Sequence, residues 1–248
     1  MSQRVRMCVS GPSFLSPPLC SMVPGFAMRP FWYNPSTPEK GLSQDGLPEY
    51  WQGVTHDPKT DLGLDYESVE FESPSVNRSP VYTLRGWHVP GDPVEEQPKV
   101  GVVFVHGGGR DRRAFLRHAR LFHDLGFPCL LFDFREHGLS DGAKRGFTYG
   151  IQEHADVLAA VRFVRASLRW RRVIVVGTSI GASSSILAAA EDKDTIQAVI
   201  AENPLTKPEA VVAHFYWFGL DYVFPRWVAR SLPFRWLGRL IIAMFLWR

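Results

Sequence analysis

Four short runs made almost entirely of apolar residues recur through the middle of the chain: Val100-Gly101-Val102-Val103-Phe104-Val105, Cys129-Leu130-Leu131-Phe132, Val173-Ile174-Val175-Val176 and Gln197-Ala198-Val199-Ile200-Ala201. A strand with one wet face alternates polar and apolar residues, whereas a strand buried on both faces does not. Between these runs lie segments of helical periodicity. Arg113 to Leu125 places Phe115, Leu116, Ala119 and Phe122 on one face before Gly126 ends it. Tyr149 to Leu168 places Ile151, Ala155, Leu158, Val161 and Val164 on one stripe, and a segment rich in Ala and Ser runs from about Ile180 to Ala190. Strand, helix, strand units of this length need right-handed crossovers, which stack helices on both faces of a mostly parallel sheet. The expected fold class is α/β.

Upstream, Ser68 to Glu72 and Val81 to His88 alternate in character and read as an antiparallel pair leading into the sheet. Residues 1–61 read as an irregular extension, 62–204 as the core, and 205–248 as a helical cap segment rich in aromatic and basic residues.

A chain of 248 residues, 45% hydrophobic and 21% charged, can bury one sizeable core. A net charge of +3 without a clustered basic face argues against a nucleic-acid partner. Cys8, Cys20 and Cys129 have neither zinc-ligand spacing nor the even count of a disulfide framework. No metal or cofactor is therefore expected, and a reducing compartment is favoured. That places the chain in the cytoplasm or against an intracellular membrane. The first 38 residues lack Asp and Glu and carry Arg4, Arg6 and Arg29, as an organelle transit peptide does. Pro12, Pro17, Pro18 and Pro24 would break the amphipathic helix such a peptide needs, so a loosely draped extension is the preferred reading. No run reaches the roughly 18 apolar residues of a spanning helix.

Gly177-Thr178-Ser179-Ile180-Gly181 follows one apolar strand and opens the Ala/Ser helix. A serine on such a turn is lifted out of the sheet, the flanking glycines let backbones approach, and the helix N-terminus stabilises developing negative charge. Ser179 is the candidate nucleophile. A phosphate-binding glycine loop would also use a helix N-terminus, but neither the dinucleotide fingerprint nor a Gly-Lys-Ser/Thr ending is present. His106-Gly107-Gly108-Gly109 closes another strand, where a glycine N–H can reach a reacting carbonyl. The N–H groups of Gly108 and Ile180 form the candidate oxyanion hole, with Gly109 as the nearby alternative. His106 is equally readable as a packed side chain in a βα turn.

These motifs, together with Asp133-Phe134-Arg135-Glu136-His137-Gly138-Leu139-Ser140, resemble the α/β-hydrolase superfamily, in particular its serine aminopeptidase and monoacylglycerol lipase-like branch. Leu62 to Val69 and Leu84 to Trp87 resemble the leading strands of that branch. The likeness covers about Leu62 to Asn203, and Glu136 stands where the pattern has glycine, which predicts an altered loop path. The resemblance implies hydrolysis of ester, thioester or amide bonds in a small acyl or peptide-like substrate. It assigns His137 and Ser140 to a structural loop rather than to catalysis.

In that superfamily the order is Ser, then Asp or Glu, then His. Here about 45 residues follow the sixth strand, so the chain is expected to lack the segment supplying the histidine. His214, placed in a helix starting near Pro208, precedes Asp221 and reads as an ordinary helical residue; Glu202 is an alternative orienting acid. The tail from Val211 carries Trp217, Trp227, Trp236 and Trp247 with Arg226, Arg230, Arg235, Arg239 and Arg248. The resemblance makes it a lid lined for apolar substrates; its composition equally suits peripheral contact with a membrane surface. A non-catalytic hydrolase-like protein that binds a lipid, a membrane surface or a protein is the alternative function.

Overall fold

The computed structural model describes residues 56–74, 80–91, 100–143, 146–205, 207, 213, 216–217, 220–221 and 224–246. The extension before residue 56 and His214 lie outside the described residues.

Helix α1 (Pro58–Leu62) was not foreshadowed by periodicity. Asp57 caps it, accepting hydrogen bonds from the N–H groups of Lys59 and Thr60, and Pro58 occupies its first turn. Strands β1 (Glu67–Pro74) and β2 (Val81–Val89) pair antiparallel, with Phe71 opposite Leu84, as their alternation predicted. Strands β3 (Val100–Val105), β4 (Cys129–Phe132), β5 (Arg172–Thr178) and β6 (Ile196–Glu202) follow. The six-stranded sheet has the order β1-β2-β4-β3-β5-β6, antiparallel across β1/β2 and β2/β4 and parallel elsewhere. The fold is α/β, as expected.

Period-two side-chain placement divides the core into two layers. Val103, Val105, Leu130, Phe132, Val173 and Val175 face helices α3 (His154–Ala166) and α4 (Ile180–Glu191). Val102, Phe104, Cys129, Leu131 and Val176 face helix α2 (Leu116–Asp124), with Phe115, Leu116 and Ala119 closing over Phe104. Burial of each such side chain stabilises by roughly 1.5–3 kcal/mol. The serines on the inner face of α4 satisfy themselves: the Ser184 and Ser185 hydroxyls donate to the carbonyls of Ile180 and Gly181 at 2.7 and 2.6 Å.

Two helix starts differ from the periodicity. Residues 112–115 form a 3₁₀ turn before α2, because the Asp111 carboxylate accepts from the Arg113 N–H and holds a tighter entry. Helix α3 begins at His154 rather than Tyr149, since Tyr149 and Gly150 both take positive φ. Ile151, expected on the buried stripe, therefore lies in the preceding turn and is 52% exposed.

Strand β6 is the sheet edge, and its burial is unlike that of its neighbours. Ile196 is buried, but Ala198, Ile200, Ala201 and Glu202 are exposed, Ile200 by 50%. Beyond it come α5 (Arg226–Ala229) and α6 (Leu232–Leu246).

Candidate active site

Ser179 sits between the end of β5 and the start of α4 with φ 54° and ψ −120°. A non-glycine residue rarely holds that conformation, which costs on the order of 1–3 kcal/mol and persists only where the surroundings enforce it. Two contacts enforce it here. The Ser179 N–H donates to the Glu202 carbonyl on β6 at 2.9 Å, and its own carbonyl accepts from the Ser183 N–H at 3.1 Å. The flanking glycines are sterically required. A Cβ at Gly177 would come 2.6 Å from the Gly181 carbonyl oxygen, and one at Gly181 would collide with the carbonyl oxygens of Val105 and His106. Ser179 occupies the N-cap position of α4, yet its side chain makes no capping hydrogen bond.

The loop after β3 comes alongside. A Cβ at Gly107 would lie 3.4 Å from that of Ser179, and one at Gly108 would lie 3.5 Å from Ile180 Cδ1. The structure thus brings Ser179, Ile180 and Gly108 to one place. It also separates Gly108 from Gly109, because the Gly109 N–H donates to His137 Nε2 at 3.2 Å. Among the described residues, the N–H groups of Gly108 and Ile180 donate to nothing.

His106 and His137 are structural in geometry. The Phe134 N–H donates to His106 Nε2 at 3.1 Å, so Nδ1 carries the proton and donates to the Gly107 carbonyl at 2.8 Å. His137 repeats the pattern, accepting at Nε2 and pairing through Nδ1 with the Arg135 carbonyl at 2.8 Å. Burial, with the neighbouring His106 ring, pushes His137 down to about 3, and burial lowers His106 as well. Ser140 donates to the Asp133 carbonyl at 2.7 Å and accepts from the Arg85 N–H. Neither His137 nor Ser140 is available to a substrate.

Glu136 takes φ 65°, in the left-handed region that glycine favours. Its carboxylate accepts from the Ala143 N–H at 2.6 Å.

Sequence reasoning missed three buried ion pairs behind this end of the sheet. Arg112 bonds to Asp133 through Nε and NH2 at 3.0 and 2.6 Å, Arg113 embraces Asp111, and Arg135 reaches Asp156 at 2.6 Å. Asp133 also accepts from the N–H groups of Arg112 and Leu139. Two of these pairs, Arg112–Asp133 and Arg135–Asp156, are separated by 21 residues and leave no local signal, and Arg113 within a helical pattern reads as solvent-facing. Glu202, the alternative acid, is exposed at the end of β6, and its charge acts on His118, whose basicity burial nonetheless lowers. Burial raises the Cys129 thiol to about 12, leaving it unreactive. Among the described residues no three His, Cys, Asp or Glu side chains converge as metal ligands.

The family described as serine aminopeptidase, S33, matches residues 96–240, more than half of the chain. The chain belongs to this α/β-hydrolase family. An esterase from Pyrococcus furiosus superposes with a TM-score of 0.53 at 26% identity, covering 68% of this chain and 63% of that one. The quorum-quenching protein AidA of Acinetobacter baumannii is 32% identical over 56% of this chain and 43% of its own. A monoglyceride lipase homolog of Monkeypox virus is 30% identical over 46% of this chain and 41% of its own. The chain spans about half the length of the curated relatives it matches. Within the S33 family match lie both glycine loops and all three buried ion pairs.

Proposed function

We propose that the protein is a serine hydrolase acting on carboxylic esters, with thioesters and amides as related substrates, and that Ser179 is its nucleophile. The observation that carries this reading is the strained backbone of Ser179 beside two unengaged N–H groups, those of Gly108 and Ile180. Strain at a non-glycine residue marks a position held for function rather than stability. In the proposed reaction Ser179 Oγ attacks the carbonyl carbon and gives its proton to a base. The N–H groups hold the oxyanion, and the leaving group departs with a proton. Water then attacks the acyl-enzyme, releasing the acid and restoring the hydroxyl. Among the described residues no base is hydrogen-bonded to the Ser179 hydroxyl, and His106 and His137 are excluded from that role by their own hydrogen bonds. Relatives named as an esterase and as a monoglyceride lipase homolog favour ester over amide substrates.

The test is labelling with a fluorophosphonate probe and hydrolysis of p-nitrophenyl esters of increasing chain length. An adduct at Ser179, abolished by Ser179→Ala, is the expected result. A folded protein that neither labels nor hydrolyses overturns the assignment and favours a non-catalytic, ligand-binding role.

A further inference from the structure

Helix α6 has fifteen residues and so spans about 22 Å, short of the roughly 30 Å of a bilayer core. Accordingly, no helix among the described residues is long and apolar enough to cross a membrane. One side of α6 is occupied within the chain. The Tyr216 hydroxyl donates to the Phe234 carbonyl at 2.6 Å, and buried Gly238 lets the Tyr216 ring close on the helix, since a Cβ there would come 2.7 Å from its Cε1. The other side carries Arg235, Trp236, Arg239 and Ala243, all exposed and all within about a third of the helical circumference. Trp236 is 68% exposed, and Trp227 on α5 is 80% exposed. Asp221 is the sole acid between residues 211 and 248, and it is already bound to Arg230 at 2.7 Å. Arg235 and Arg239 have no acidic partner among the described residues.

We propose that this face docks on the headgroup layer of an anionic membrane. A tryptophan flanked by two uncompensated arginines on a short helix matches the chemistry of that layer: the ring is taken up at headgroup depth, and the guanidinium groups meet lipid phosphate or carboxylate. Docking would lay α6 parallel to the surface. This inference does not depend on Ser179, so Ser179→Ala should bind as the parent does.

The experiment is flotation of the full chain with vesicles of phosphatidylcholine alone and of phosphatidylcholine with about 30 mol% phosphatidylserine. Binding is expected to the anionic vesicles, to weaken as salt rises, and to fall about thirty-fold in R235A/R239A, at roughly tenfold per 1.4 kcal/mol. Trp236→Ser should lose binding while keeping the parent circular dichroism, and R235E/R239E should abolish it. Equal binding to both vesicle types overturns the proposal. So does insensitivity to the arginine substitutions, or a face whose variants change only self-association or complex formation with another protein.

Discussion

The loops above β3 and β4 and the region from β6 onward handle polar and apolar groups in opposite ways. Behind the loops, Arg112, Arg113 and Arg135 are buried and bound to Asp133, Asp111 and Asp156, and two histidines are held neutral in one tautomer each. From β6 onward, large apolar side chains such as Ile200, Trp227 and Trp236 face outward, and the ion pair of Arg230 with Asp221 keeps its guanidinium half exposed. Groups removed from water cannot shift without leaving a charge or dipole unpaired, so the first region is preorganised. The second leaves apolar surface exposed, which suits the proposed membrane contact.

The largest expected effect separates the two regions by ion pair. Arg135→Ala should cost about 3–5 kcal/mol in urea unfolding, because it strands the Asp156 carboxylate at full burial. Asp221→Ala should cost less than about 1 kcal/mol, since its partner is half in water. Similar losses would erase the distinction.

Acid should act next, and through the first region. The unfolded chain takes a proton on His137 near the ordinary value of 6.5, while the folded protein resists until about 3. Stability therefore falls as pH drops from about 6.5 towards 3, by up to tenfold in the folding equilibrium per pH unit for that one residue. His106, also lowered by burial, adds in the same direction. Denaturant melts across this window should show a shallower slope for His137→Gln; an unchanged slope would remove His137 from the account.

At the elbow, Ser179→Gly should be more stable than Ser179→Ala by about 1 kcal/mol, because glycine accepts φ 54° without a Cβ penalty. Both should lack esterase activity. The smallest effect belongs to the exposed region: Trp227→Ala should change thermal stability by less than about 0.5 kcal/mol. By comparison, Phe104→Ala in the sheet should cost about 3–5 kcal/mol.

What could be read from the sequence was whatever obeys a short period. The apolar runs marked four strands; three of them, β3, β4 and β5, are the buried ones, while the run at β6 lies on a largely exposed edge strand. The Gly-x-Ser-x-Gly turn was visible because steric demand forces glycine at Gly177 and Gly181. Ile151 was misplaced because Tyr149 adopts positive φ, which no periodicity reveals. That the Gly109 N–H is taken by His137, twenty-eight residues away, shows only in three dimensions. Glu136 adopts a left-handed conformation although it is not glycine, which no residue pattern reveals.

The 2.9 Å hydrogen bond from the Ser179 amide to the Glu202 carbonyl fastens the Ser179 turn to the edge strand β6. A body that grips that rim, by lengthening the ladder or prising it outward, therefore tugs directly on the serine's peptide plane.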